Sequence, residues 1–88
     1  MDIRHSSQFK KDYKRIKSQG KDLALLHGIL ELIAHHKPLP ESFRDHALKG
    51  NYTGCRECHL TPDWLLIYQY LDESTLYVRR TGSHSELF

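Results

Sequence analysis

Nowhere in these 88 residues does an apolar run approach the roughly 18 that a membrane span needs. The charged N-terminus also has no signal-peptide core. The expected location is therefore the cytoplasm, and no membrane contact is expected. Cysteine is scarce, with only Cys55 and Cys58, spaced as C-x-x-C. A second ligand pair at zinc-finger spacing is missing, and strand positions three apart point to opposite faces, so the two thiols should diverge. No metal, no cofactor and no disulfide is expected; two free thiols suit a reducing compartment. There is no repeat, no low-complexity linker and no composition shift that would mark a second domain, so residues 1–88 read as one small domain. Acid is missing from one stretch in particular. Six of the thirteen Lys and Arg fall between Lys10 and Lys21, with only Asp12 against them.

What is present reads as a folded α+β domain. Met1–His5 suits a short edge strand, and Ser6 or Ser7 can cap a helix. Phe9, Tyr13 and Ile16 recur at i, i+4 and i+7, the spacing of one buried helical face. Lys10, Lys14 and Lys17 form a second stripe on that helix, either a solvated face or a contact with RNA backbone or the ribosome. Gly20 ends the helix and Asp22 caps the next, whose inner face carries Leu23, Leu26, Ile29, Leu30 and Ile33. The short connection predicts an antiparallel helical hairpin. Pro38 and Pro40 open a loop running to about Asn51. Three strands follow, at about Tyr52–Leu60, Trp64–Leu71 and Thr75–Thr81. The expected fold is βααβββ in two layers, the helical hairpin packed on an antiparallel four-stranded sheet.

Polar residues able to do chemistry gather at strand ends. His59 enters a tight Thr61-Pro62-Asp63 turn, and Asp63 is placed to orient an imidazole. Arg80 stands near the end of the last strand and His84 follows it. Each has a plainer reading: His59 and Asp63 as a structural pair, His46 as an ordering element of its loop, Arg80 as an ion-pair partner of Glu57. Trp64 reads equally as core or as a base-stacking platform, and Phe88 as a packed terminus or a stacking ring.

Three segments together carry a resemblance: Asp45-His46-Ala47-Leu48-Lys49-Gly50, then Arg56 through Tyr68 with its Cys58-His59-Leu60-Thr61-Pro62-Asp63, then Arg80-Thr81-Gly82-Ser83-His84-Ser85-Glu86-Leu87-Phe88. They resemble the YafQ branch of the RelE-type toxins, within the RelE/ParE superfamily of type II toxin–antitoxin systems. The resemblance implies a RelE-like ribonuclease fold and a ribosome-dependent mRNA endoribonuclease, an mRNA interferase that inhibits translation. It implies a neutralising antitoxin of the DinJ or RelB kind, with the ribosome and mRNA as further partners. The family's catalytic positions fall on His46, His59, Asp63, His84 and Phe88, with Arg80 as a phosphate contact; Trp64, Lys10, Lys14 and Lys17 are further candidates on the substrate side, read from the residues themselves.

The chemistry can be weighed apart from the resemblance. Metal-free RNA cleavage needs a base for the 2′-hydroxyl proton, an acid for the 5′-oxygen and positive charge near the phosphorane. Histidine suits both proton roles because its ordinary pKa of ~6.5 lies near cellular pH. The competing reading is a non-catalytic RNA- or partner-binding module with the same basic surface. A zinc protein built on Cys55, Cys58 and His59 is a third.

Overall fold

Ser6 divides the first strand from the first helix by serving both. Its side chain accepts from the Phe9 N–H as an N-cap, and its own hydroxyl donates to the Arg79 carbonyl of the last strand. The computed structural model describes residues 1–88. In chain order the elements are β1 (Asp2–His5), α1 (Ser7–Ser18), α2 (Leu23–Ala34), β2 (His46–Ala47), β3 (Arg56–Thr61), β4 (Trp64–Asp72), β5 (Thr75–Gly82) and a short terminal helix α3 (His84–Leu87). Asp22 caps α2 by accepting from the Leu25 N–H, and Gly20 turns the chain between the helices at φ +74°.

The sheet has five strands in the order β1-β5-β4-β3-β2, and β1 runs parallel to β5. The expected four-stranded antiparallel sheet is corrected on both points. The parallel pairing arises because the chain leaves β1, crosses one face as two helices and closes beside its last strand. The fifth strand is only His46–Ala47, antiparallel to Arg56 and Glu57; two residues carry no period for a sequence to reveal. The expected start of β3 at Tyr52 is also wrong. Gly50 and Gly54 take φ of +70° and +91°, and Gly50–Tyr52 makes a 3-10 turn that delays the strand to Arg56.

The two sheet faces are unlike. Phe9 and Ile16 of α1 and Leu26, Ile29, Leu30 and Ile33 of α2 pack on Cys58, Leu60, Trp64, Leu66, Tyr68, Leu76 and Val78. The other face carries a smaller cluster of Cys55, Leu65, Ile67 and Leu87, flanked by Leu48 and Tyr52. Cys55 and Cys58 therefore lie on opposite faces, both free and buried, and burial pushes the Cys58 thiol up to about 12.

The edge of β5 needs a second partner, because β1 stops at His5 while β5 continues to Gly82. Asp12 supplies it. Its fully buried carboxylate accepts from the Thr81 N–H at 3.2 Å, from Arg80 Nε at 2.7 Å and Nη2 at 3.2 Å, and from Arg15 Nη1 at 3.0 Å. Arg15 Nη2 donates to the Thr81 carbonyl at 2.9 Å. Helix α1 thus seals the strand edge where β1 no longer reaches.

Candidate active site

The histidines gather on the sheet face opposite α1 and α2, at the end where β3, β5 and the loop before β2 converge. Register fixes the first part. On β3, Glu57 and His59 share a face and stand opposite Ile67 and Leu65. His46, on β2, stands beside Glu57. The loop that delivers His46 is anchored by Asp45, which accepts from the Tyr68 hydroxyl at 2.7 Å and from Arg56 Nε at 3.1 Å. Burial, together with Asp45, pushes the Tyr68 phenol up, so it stays a donor.

The C-terminus delivers the rest. Gly82 ends β5 at φ +157°, where a Cβ would lie 2.5 Å from Arg15 Nη2 and 3.0 Å from Glu86 Oε1 and would push both side-chain ends aside, so glycine is favoured there. Ser83 then caps α3 in a reciprocal capping box with Glu86, and Arg15 Nε pairs with Glu86 at 2.9 Å. His84 is therefore the first residue of a fixed helical turn rather than part of a flexible one.

Three imidazoles stand side by side. The ring centroids of His46 and His59 are 6.1 Å apart and those of His59 and His84 are 5.6 Å apart. Two carboxylates orient them. Glu57, whose side chain is 6% exposed, lies 3.5 Å from His46 Nε2 and 3.4 Å from His59 Nε2. Asp63 accepts from the His84 N–H at 3.0 Å and from His84 Nδ1 at 2.8 Å. That backbone donor first, and the imidazole second, hold the Asp63 carboxyl below its ordinary range.

The expectation that Asp63 serves His59 is thereby corrected. A tight turn brings Asp63 near the end of β5, and the carboxylate of His59 is Glu57, two residues back on the same strand. Sequence reasoning named Glu57 only as a possible partner of Arg80. The signal that could have found it is the Glu-x-His spacing, since residues two apart on a strand share a face.

The free nitrogens can be assigned from these contacts. His46 Nδ1 donates to the Arg44 carbonyl at 2.7 Å and its Nε2 faces Glu57, so neither nitrogen is free for proton transfer. His59 keeps Nδ1 and His84 keeps Nε2. A cleft of about 540 Å³ opens beside them, lined by Ser42, Phe43, Arg44, Leu60, Thr61 and Pro62 along with His59 and His84. Arg44, exposed and held at φ +49°, is a cation in this wall that the sequence reading passed over.

Other expected residues sit elsewhere. Trp64 is 1% exposed in the main core, its indole N–H donating to Thr81 Oγ1 at 2.9 Å, so it is no stacking platform for a base. An aromatic at the first position of β4 faces the helices by the alternation of that strand. Arg80 stands opposite Ile67 on the histidine side of the sheet, but Asp12 holds its Nε and Nη2. Its ion-pair partner is Asp12, not Glu57. Lys10, Lys14 and Lys17 are exposed on α1, on the far side of the sheet from Glu57 and His59. Phe88 is 64% exposed beyond α3, its N–H bonded to the His84 carbonyl.

One further arrangement bears on metals. His46, Glu57 and His59 offer donor atoms that all lie within 4.8 Å of one another, a set with two imidazoles and one carboxylate that suits a transition-metal cation. This group, rather than the cysteine pair, is where such an ion would fit.

The chain is similar in sequence and in overall structure to known proteins. The family described as bacterial toxin of type II toxin–antitoxin system, YafQ, matches residues 1–88. The mRNA interferase toxin YafQ of Escherichia coli strain K12 is 40% identical over 88 residues, covering 99% of this chain and 95% of that protein. YafQ in the E. coli DinJ–YafQ complex superposes with a TM-score of 0.88 at 41% identity, over 99% of this chain and 97% of that one. A metal-bound toxin from Helicobacter pylori superposes with a TM-score of 0.92 at 46% identity, over 100% of this chain and 99% of that one.

Proposed function

From the premise that the chain belongs to the YafQ family of bacterial type II toxins, we propose that it is an mRNA interferase, an endoribonuclease that cuts messenger RNA on the ribosome. A cognate antitoxin of the DinJ kind neutralises it, as in the E. coli complex of its relative. No helix is long and apolar enough to cross a membrane, and a toxin that acts on ribosomes works in the cytoplasm.

The observation that carries the reading is the row of imidazoles with one ring fixed by Asp63. In the reaction the 2′-oxygen bonds to phosphorus, the bond to the 5′-oxygen breaks, and a 2′,3′-cyclic phosphate and a 5′-hydroxyl remain. One proton leaves the 2′-hydroxyl for a base, and another passes from an acid to the departing 5′-oxygen. His84 is the acid. Asp63 accepts from its Nδ1 and stabilises the imidazolium, the form in which Nε2 carries the proton passed to the 5′-oxygen. His59 is the base through Nδ1, with Glu57 fixing the ring from the other side. His46, both nitrogens engaged, contributes charge rather than proton transfer, and Arg44 in the cleft wall adds to it. Arg80, oriented by Asp12 through two nitrogens, keeps its other Nη for a phosphate oxygen. The need for a 2′-hydroxyl confines the activity to RNA.

The test is to add the purified protein to translating ribosomes and map new mRNA 5′ ends. Fresh ends within translated codons, abolished by antitoxin, are expected. Ribosome association without new ends would instead favour the non-catalytic binding module.

A further inference from the structure

The terminal helix that carries His84 is too short to hold itself. Its four residues make one turn, and an isolated helix below about 12 residues is marginal in water. Whatever aims His84 must therefore come from its surroundings. One anchor is apolar: buried Leu87 packs with Cys55, Leu65 and Ile67 beneath the turn. Asp63 is a second, taking the N–H and Nδ1 of His84 itself.

The third anchor comes from the other layer of the fold. Arg15 belongs to α1, and its guanidinium lies at the edge of β5 that β1 leaves open. Its three nitrogens serve three different elements. Nη1 donates to Asp12 of α1 at 3.0 Å, Nη2 donates to the Thr81 carbonyl of β5 at 2.9 Å, and Nε lies 2.9 Å from Glu86 Oε2 of α3. Gln19, at the end of α1, donates to the same Oε2 at 3.2 Å. The other oxygen of Glu86 accepts from the Ser83 N–H at 2.8 Å. The Ser83 amide first, then Gln19 and Arg15, hold the Glu86 carboxyl below its ordinary range, which keeps it an acceptor for all three. His84 and Glu86 are two residues apart, about 200° round a helix, so the attachments to Asp63 and to Arg15 lie on nearly opposite sides of the turn.

We propose that Arg15 and Gln19 are positioning residues for RNA cleavage: acting through Glu86, they lock α3 against rotation and so aim the His84 imidazole into the cleft. The proposal rests on the nuclease reading above and extends its machinery to the helical layer. A guanidinium is the group that fits, because its rigid fork serves three acceptors at fixed angles, which an ammonium on a flexible stem cannot. Arg15, Gln19 and Glu86 are absent from the cleft wall. They therefore govern how well His84 is placed, not how tightly the ribosome or the mRNA is held.

The experiment pairs single-turnover cleavage on programmed ribosomes with backbone hydrogen exchange. Glu86→Gln is the central variant, because its one amide oxygen can serve the Ser83 N–H or Arg15 but not both. At saturating ribosomes it should cut about 10- to 100-fold more slowly than the parent, the usual cost of a catalytic group displaced by about 1 Å. The ribosome concentration giving half-maximal rate should stay parental. Gln19→Ala removes one partner of the carboxylate and should slow cleavage about 2- to 5-fold. Arg15→Met combined with Glu86→Gln should cost no more than the worse single change, since both break one linkage. Exchange is read at the His84 amide, bonded to Asp63, and the Phe88 amide, bonded to the His84 carbonyl. Both should lose protection in Glu86→Gln while the amides of β4 keep theirs. A Glu86→Gln protein that cuts at the parental rate, or loses only ribosome affinity, would overturn the positioning role. So would slowed cleavage with parental exchange at His84 and Phe88. If Arg15→Met proves unfolded by circular dichroism, Glu86→Gln and Gln19→Ala carry the decision. A parent protein that cuts no mRNA would fail the nuclease reading instead, and the exchange rates would still decide whether Arg15 and Gln19 hold α3.

Discussion

Replacing Asp12 with alanine should unfold more of the protein than any change to the histidines. The carboxylate is fully buried and accepts four hydrogen bonds, two from Arg80, one from Arg15 and one from the Thr81 N–H. Removing it leaves the Thr81 amide without a partner and strips Arg80 of both its carboxylate bonds, while Arg15 keeps Glu86 and the Thr81 carbonyl. Breaking a buried ion pair by deleting one partner costs about 3–5 kcal/mol. The side chains of Arg80 and Arg15 remain 19% and 32% exposed, and water relieves part of the penalty, so the lower end, about 3 kcal/mol, applies. In a domain of this size each kcal/mol moves the Tm by about 4–8 °C, which puts the loss at about 12–24 °C. Thermal melts followed by circular dichroism measure it. A cycle with Arg80→Met apportions the pair, because the doubly substituted protein should recover part of the loss. An Asp12→Ala variant melting within about 5 °C of the parent would refute the claim that this carboxylate seals the β5 edge.

Three other outcomes are expected. Lys10, Lys14 and Lys17 changed together to glutamate should weaken ribosome association and flatten its salt dependence without changing the melting temperature much, since all three are exposed on α1; binding unchanged at physiological salt refutes an electrostatic role. Asp63→Asn should lower the Tm by an amount that depends on pH. The Asp63 pKa is depressed in the fold, so its stabilisation is fully present above the unfolded value of ~3.9 and is lost as pH falls through the lower folded value. The gap between parent and variant should therefore be present at pH 5 and close as pH falls below about 4, as a melting series across acid pH would show. Chelating agents should leave cleavage unchanged, whereas added zinc or copper should inhibit it by occupying His46, Glu57 and His59; activation by either ion would contradict the proton roles given to these residues.

The elements with long periods were legible in the sequence. The Phe9/Tyr13/Ile16 stripe, the α2 face from Leu26 to Ile33, and both helix caps are where spacing and cap chemistry place them. The order of β4 and β5 was legible for the same reason. The gathering of His46, His59 and His84 into one site needed the fold, because these residues are spread over β2, β3 and α3. Which carboxylate serves which histidine was not legible: Asp63 lies nearer His59 in sequence, but the turn swings it to His84. Asp12 was invisible in its role. In the sequence it is a lone acid in a basic stretch, and only the early end of β1 shows that an edge strand needs it. Trp64 was ambiguous because an aromatic beginning a strand can face either side, and pairing with Thr61 and Thr81 decides it.

The division of proton transfer between two histidines is tested most directly by single-turnover cleavage on programmed ribosomes across pH, with His84→Gln and His59→Gln beside the parent. Each variant should cut roughly 10²- to 10⁴-fold more slowly, the usual worth of one proton-transfer catalyst. The parent should show a bell-shaped pH profile, with one limb missing in each variant, while ribosome and antitoxin binding stay close to parental. Two folded variants that cut at near-parental rates, with the bell intact, would show that neither histidine moves the proton.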